Sequence, residues 1–323
     1  MDRPSKTYLD LVQVNDNFPY DPEAISQYYA LYLPQDEQPH GYLLPETVAK
    51  LPWTEHEFRI LHIPPCSVTV LDTSHGADTA AAVNKAFADI VTRCLDQDLF
   101  HVLDKRHSEP FAVLGAKYPV RIERFATALF GTVSCGAHMV AYTTTTAANG
   151  GGSKVSDLWI PRRADHLYTY PGMLDTTVAG GVKAGVKPLT TIIEEAMEEA
   201  SLPATLVRQH VKPRGVITTV SVTGKGFPGE QGLVMPDQIF VYDIELPNGV
   251  VPRPNDDEVS GFTCMGVEEV QTALKRDEFK PDSAAVLIDF FIRHGIVTPE
   301  EERDYVAIVT HLHRRLPFRT VPP

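Results

Sequence analysis

Residues 179–202 read Ala179-Gly180-Gly181-Val182-Lys183-Ala184-Gly185-Val186-Lys187-Pro188-Leu189-Thr190-Thr191-Ile192-Ile193-Glu194-Glu195-Ala196-Met197-Glu198-Glu199-Ala200-Ser201-Leu202. A glycine-rich turn runs into Lys187-Pro188. Proline is tolerated in the first turn of a helix because the N–H it lacks would have no partner there. Residues 189–200 then follow a helical period. At 100° per residue, Ile192, Ile193, Ala196, Met197 and Ala200 fall in one arc, and Glu194, Glu195, Glu198 and Glu199 fall opposite. Glu195, Glu198 and Glu199 are spaced i, i+3 and i+4, so their carboxylates converge. The ordinary reading of such a pattern is a solvated acidic face. Two features count against it. Like charges at this spacing cost roughly 0.2–0.5 kcal/mol per pair, with no basic residue interleaved to relieve them. The acids also lie late in the helix, where the macrodipole disfavours them. A hard cation relieves both, and Mg²⁺ takes carboxylate oxygens while keeping positions open for phosphate oxygens.

Outward from this helix the chain alternates strands and helices. Residues 137–143 and 154–160 are strand candidates flanking a tract of small residues, 143–153, which reads as a hairpin loop. Further strands are expected at 215–223, 238–246 and 262–265, and helices at 267–275, 281–295 and 299–315. Ahead of them, Asp21-Pro22 opens a candidate helix carried through Ile25, Tyr28, Tyr29 and Leu31. Residues 41–50 form another short candidate helix, 58–71 a strand pair broken at Pro64-Pro65, and 79–94 an amphipathic helix. The expected fold class is α+β. A C-terminal α/β/α sandwich with a mixed sheet, residues 131–323, follows a smaller α/β N-terminal domain, residues 1–130.

Composition narrows the function. The 323 residues carry a formal net charge of −13, with 43% hydrophobic and 22% charged residues. A chain this acidic repels phosphate polymers and anionic bilayers, so neither a nucleic-acid nor a membrane partner is expected. A phosphate-bearing small molecule would need local help from a cation, an arginine or a helix N-terminus. Cys66, Cys94, Cys135 and Cys264 are too far apart in sequence for a metal knuckle and read as free thiols. Residues 1–17 contain no apolar signal core, which sets the expectation of a soluble cytoplasmic protein.

The stretch from Gly180 to Leu202 resembles the Nudix box, G-x5-E-x7-R-E-U-x-E-E-x-G-U with U aliphatic. Set on Gly180, the box places Glu195 after its Arg position, Ala196 on U, Glu198 and Glu199 on the paired glutamates and Leu202 on the last U. Val186, Glu194 and Ser201 stand where the box has Glu, Arg and Gly. The flanks, Leu158-Trp159-Ile160-Pro161-Arg162-Arg163, Tyr170-Pro171-Gly172, Phe240-Val241-Tyr242-Asp243 and Asp289-Phe290-Phe291, are similar to the fungal and plant Nudix proteins associated with thiamine pyrophosphokinase. The resemblance implies an N-terminal accessory domain before the Nudix fold and Mg²⁺ or Mn²⁺ held by Glu195, Glu198 and Glu199. It also implies a diphosphatase acting on thiamine diphosphate derivatives, notably oxidised forms, releasing the monophosphate.

Beside the helix, Arg162 and Arg163 are candidates for contacting the diphosphate, since a guanidinium fork suits phosphate oxygens. Gly180 and Gly181 are the candidate substrate-contacting turn. Among the loop acids Glu230, Asp256, Asp257 and Glu258, one is expected to serve as an extra metal ligand or as general base for the attacking water, and Glu258 is the candidate because its segment resembles the thiamine-associated subgroup. His138 reads as a satisfied strand histidine, His311 and His313 as solvated or capping residues, and Trp159 as core. Two rival readings stay open: a Nudix hydrolase of another nucleoside-diphosphate-type substrate, and a degenerate domain that binds without turnover.

Overall fold

The computed structural model describes residues 5–103, 109–146 and 153–321. Its centre is a six-stranded mixed sheet ordered Val211–Val222, Val234–Glu245, Ser134–Thr146, Ser153–Arg163 and Val259–Gly266, with the short strand Val178–Gly181 added beside Ser134–Thr146. Strand Val234–Glu245 runs parallel to Ser134–Thr146, and the other pairs are antiparallel. Strand Ser134–Thr146 changes partner along one edge. Residues 136–139 pair with Val178–Gly181, and residues 142–146 pair with Ser153–Arg163. The short glycine strand is thereby brought into the middle of the sheet instead of being left at its rim.

Alternation along these strands sends side chains to two helical layers. Ala137, Met139, Ala141 and Val178 pack with Ile192, Ile193, Ala196 and Ala200 of helix Pro188–Ala200 and with Val207 of helix Ala204–His210. Val140, Tyr142, Ile239 and Val241 pack on the other face with helices Val267–Lys275, Pro281–Arg293 and Tyr305–Leu312. Helix Tyr8–Asn15 joins this same face through Tyr8, Leu11 and Val12, with Thr7 and Asp10 forming a capping box at its start. The α/β/α sandwich with a mixed sheet is therefore the observed architecture.

Residues 29–130 build a second core. A four-stranded sheet, ordered Gly41–Leu43, Tyr29–Tyr32, Ser67–Val70 and Phe58–Leu61, shares its apolar residues with helix Thr79–Asp96. The hairpin Pro110–Ala112 with Arg121–Glu123 follows. Contacts between the two bodies are specific. Glu230 accepts from the backbone N–H groups of His101 and Val102, and Ala184 N–H donates to the Pro110 carbonyl at 2.8 Å.

Four expectations need correction, and one is the helix expected at 299–315, which spans only Tyr305–Leu312. The helix begun at Asp21-Pro22 stops at Ile25, and Tyr29–Tyr32 is a strand, because a parallel pairing with Ser67–Val70 outweighs a helical period of only two turns. Residues 41–50 divide into strand Gly41–Leu43 and helix Pro45–Lys50. Thr143, Thr144, Thr145 and Thr146 belong to the strand, paired with residues 153–157, since β-branched threonine suits a pleated ladder. The remainder of that expected loop, residues 147–152, lies outside the described residues.

The box departure at Ser201 has a visible cost. Ser201 caps helix Pro188–Ala200 in the left-handed region, φ 54°, while Leu202 N–H closes back on the Ala196 carbonyl at 2.9 Å. A Cβ disfavours this conformation and glycine does not. Ser201→Gly is expected to stabilise the protein by about 1 kcal/mol, read as a higher denaturant midpoint at unchanged slope. A lower midpoint would contradict this account of the cap.

Candidate active site

The site forms where strand Val178–Gly181 lies against helix Pro188–Ala200. A Cβ on Gly180 would sit 2.3 Å from Glu195 Oε1 and 2.5 Å from its Cγ. Glu195 therefore lies across the strand at a place that only glycine leaves open. One residue earlier, Ala179 N–H donates to Glu199 Oε2 at 3.2 Å. Glu199 is buried, with 9% exposure, whereas Met197 is 43% exposed. This corrects the expected division into an apolar arc holding Met197 and an exposed acidic arc holding Glu199. The helix rests on both the glycine strand and its neighbour, so its covered arc is rotated toward residue 199, and a backbone amide there offsets part of the burial cost. Glu194 and Glu198 remain exposed.

Burial and like charge dominate the electrostatics. Burial, then the neighbouring Glu198 and Glu258, push the Glu195 carboxyl up to about 7, against the opposing pull of Arg124 and Lys183. Burial, then Glu195 and Asp175, hold the Glu199 carboxyl well above the ordinary range, and Glu258 adds to the effect. A small cavity lies beside these groups, lined by Glu199, Glu258, Arg163, Asp175, Thr176 and Pro161, with about 10 Å³ of free space, roughly what one water needs.

Glu258 reaches this cavity through strand pairing. Val259 is in register with Arg163, and Ala164 N–H donates to the Glu258 carbonyl at 2.8 Å. The other loop acids are placed elsewhere. Glu230 holds the 101–102 backbone, Asp256 accepts from Glu258 N–H, and Asp257 lies 3.6 Å from His166. Arg163 lines the cavity, but its donors are engaged internally. Nη1 donates to Asp175 Oδ2 at 3.0 Å, and Nε and Nη2 donate to the Thr169 carbonyl. Arg162 is exposed and donates to the Gly172 carbonyl at 2.7 Å. His138 is a buried strand histidine bonded to Thr176, and His311 lies 2.8 Å from Asp16.

Sequence reasoning missed Arg124 and Lys183, the basic residues whose charge acts on Glu195. A Cβ on Gly181 would meet Phe111 at 2.6 Å and the Arg124 guanidinium carbon at 3.3 Å, so the hairpin of the first body sits directly on the glycine turn. Glu109 lies between Lys183 at 3.3 Å and Arg124 at 3.7 Å. No local signal marks Arg124, because its role depends on how the two bodies pack. Asp175 and Thr176, in the cavity wall, were likewise not singled out.

Among the described residues, no three or more His, Cys, Asp or Glu side chains are set in a metal-holding arrangement. The donor chemistry nevertheless fits a hard divalent cation. Glu195 and Glu199 are oxygen donors largely withdrawn from water, the exposed Glu258 is a third donor beside them, and an added positive charge removes their mutual repulsion.

Comparison with known proteins points the same way as the box. No family model matches the chain. An uncharacterized protein of Saccharomyces cerevisiae is 36% identical over 219 residues, 66% of this chain and 63% of its own length. Nudix hydrolase 20, chloroplastic, of Arabidopsis thaliana is 32% identical over 195 residues, 60% of this chain and 48% of its own length. The chain thus spans between about half and 63% of the curated relatives it matches, and it is similar to curated Nudix hydrolases. A solved C. elegans Ap4A hydrolase binary complex is 14% identical with a TM-score of 0.33, covering 49% of this chain and 94% of that one.

The raised carboxyl groups give a pH dependence of defined sign. A folded pKa above the unfolded value means that the native state binds protons more tightly, so stability falls as pH rises from the ordinary glutamate range through the raised value. The metal-free protein is expected to lose thermal stability between about pH 5 and pH 8. Glu199→Gln should flatten that slope, and Mg²⁺ should restore stability at the alkaline end in the wild type and less so in Glu199→Gln. Equal slopes for the two proteins would contradict the burial of an ionisable carboxyl at this position.

Proposed function

We propose that the chain is a Nudix-type pyrophosphohydrolase that cleaves a diphosphate-bearing small molecule with the help of Mg²⁺ or Mn²⁺. The observation that carries this reading is the gathering of Glu199 and Glu258 around one cavity, with Glu195 within electrostatic reach of both and laid against a strand whose glycines leave the backbone approachable. In this reading Glu195, Glu198 and Glu199 hold the cation. The cation, when bound, supplies Lewis-acid neutralisation of the phosphate charge. Gly180 and Gly181 let the diphosphate approach the strand. Glu258, on the opposite wall, takes a proton from the attacking water as the bond between phosphorus and the bridging oxygen breaks. Arg163 acts by positioning, since it anchors Asp175 and the 169 carbonyl. Arg162 is the guanidinium left exposed for a phosphate oxygen.

The departure at Glu194 does not weigh against turnover, because Glu194 is exposed and the charges raising Glu195 come from Glu198 and Glu258. Its place as a source of positive charge near the cluster is taken by Arg124 and Lys183. We place the division between an accessory unit and a hydrolase unit near residue 130, with the 1–130 unit covering the glycine turn through Phe111 and Arg124. The segment around Tyr8–Asn15 packs on the hydrolase side.

For substrate we propose thiamine diphosphate derivatives, notably oxidised or damaged forms, hydrolysed to the monophosphate and phosphate. The support is the resemblance of residues 158–181 and 240–247 to the thiamine-associated Nudix proteins, together with an acidic chain that favours a cationic thiazolium. In phosphate-release assays, activity should require Mg²⁺ or Mn²⁺, vanish in EDTA and fall by at least ~100-fold in Glu198→Gln. Among thiamine diphosphate, its oxo and oxy analogues, ADP-ribose, NADH and 8-oxo-dGTP, the thiamine compounds should show the highest kcat/KM. A tenfold advantage for ADP-ribose or NADH, about 1.4 kcal/mol in transition-state binding, would overturn the substrate. No turnover of any compound would overturn the hydrolase.

A further inference from the structure

We propose that Arg124 of the 29–130 body and Lys183 of the glycine turn form a phosphate subsite at the end of strand Val178–Gly181, and that Glu109 occupies it until a diphosphate displaces it. The inference deepens the diphosphatase reading and rests on it in one respect, that the displacing anion is the substrate's own diphosphate.

Three separate stretches of chain supply the group. Glu109 precedes strand Pro110–Ala112, Arg124 opens the turn Arg124–Ala126, and Lys183 follows the glycine strand. One carboxylate lies between the two cations. Lys183 Nζ is 3.3 Å from Glu109 Oε1, and Arg124 Nη1 is 3.7 Å from Glu109 Oε2. Each carboxylate oxygen thus faces one cation, as two oxygens of a phosphate would. Both separations exceed the roughly 2.7–2.9 Å of a charge-assisted hydrogen bond, so Glu109 neutralises the pair without gripping it. Burial pulls the other way, but a backbone hydrogen bond and then Arg124 and Lys183 hold the Glu109 carboxyl below the usual glutamate range.

Glu109 is placed to be exchanged. The side chains of Arg124, Lys183 and Glu109 are 44%, 46% and 37% exposed. Ion pairs this wet contribute little to stability. A diphosphate brings more charge and more acceptor oxygens than one carboxylate. Within the trio one acid serves two cations, which leaves a surplus positive charge. In a chain of net charge −13, a local surplus of that sign is what would draw a phosphate.

The cations themselves are held. The Arg124 guanidinium carbon lies 5.6 Å from the Phe111 ring centre and 5.8 Å from that of Phe125, within cation–π range. Next to Lys183, the Ala184 N–H is tied to the Pro110 carbonyl. The strand between connects this group to the carboxylates. Gly180 lies against Glu195, and a Cβ on the next residue, Gly181, would be 3.3 Å from the Arg124 guanidinium carbon. Val182 N–H donates inward, to the Cys135 carbonyl, while Ala179 N–H donates to Glu199. Alternation along an antiparallel pair turns the Gly181 N–H to the same outer edge as that of Ala179. A phosphate at the strand end therefore meets a backbone donor as well as two cations.

The test is calorimetric titration of the full chain with inorganic pyrophosphate in EDTA, so that neither a divalent cation nor turnover contributes. Glu109→Gln is expected to bind pyrophosphate about tenfold or more tightly than the wild type, the scale of one charge-assisted hydrogen bond. Adding Arg124→Gln or Lys183→Gln to Glu109→Gln should abolish the gain, because no subsite is then left to vacate. Glu55→Gln removes an exposed acid from the same body and should leave binding unchanged, which separates a vacated subsite from a change in overall charge. No tighter binding in Glu109→Gln, an equal gain in Glu55→Gln, or a gain that survives the added substitutions would overturn the proposal. Should one double variant fail to fold, the other decides. With a diphosphate that is turned over, Arg124→Gln and Lys183→Gln should raise KM more than they lower kcat, and an unaltered KM would keep the hydrolase and lose the subsite. Pyrophosphate binding in the expected order, without turnover of any diphosphate, would keep the subsite and lose the hydrolase.

Discussion

The contact between Gly180 and Glu195 is the constraint on which the site depends. A side chain on the strand would occupy the space of the carboxylate, with an approach of 2.3 Å. The helix can therefore lie close enough for Glu199 to receive the Ala179 amide and for Ile192, Ile193 and Ala196 to pack under it. The same closeness strips water from Glu195 and Glu199 and leaves them near Glu258. The site is thus electrostatically unfavourable by construction, and the apolar packing of the helix holds it in that state. Burying aliphatic side chains contributes roughly 1.5–3 kcal/mol each, enough for a few of them to offset a raised carboxyl pKa.

The second body contributes to the site and is more than an appendage. Phe111 and Arg124 rest on Gly181, Glu109 links Arg124 to Lys183, and Ala184 is tied to Pro110. Arg124 and Lys183 are the positive charges that counter the acids around Glu195. A chain of net charge −13 is a poor attractor of phosphates over long range, so local cations of this kind matter more here than they would in a basic protein. On the opposite face, Asp175 and Thr176 join the carboxylate cavity to the polar groups around His138, Lys280 and Asp282.

Much of this was legible in the sequence because it is local. The period of residues 189–200 gave the helix within one residue of its observed start, and the β-branched run at 216–222 gave its strand. Glu258 was singled out from the resemblance, and the pairing of its neighbour Val259 with Arg163 brings it to the cavity wall. What escaped is non-local. The rotation that buries Glu199 and exposes Met197 depends on how the helix meets two strands. Arg124 depends on the packing of a separate body. Strand Tyr29–Tyr32 was missed for a similar reason, since its partners are Gly41–Leu43 and Ser67–Val70.

The central claim is that the carboxylates gathered on Gly180 form a divalent-cation site. The most direct measurement is the anomalous scattering of crystals of the protein soaked in Mn²⁺. The account predicts a peak within coordination distance, about 2–2.3 Å, of carboxylate oxygens from Glu195 and Glu199, with Glu198 turned in to join them. Strong Mn²⁺ peaks elsewhere, with none between Glu195 and Glu199, would contradict it.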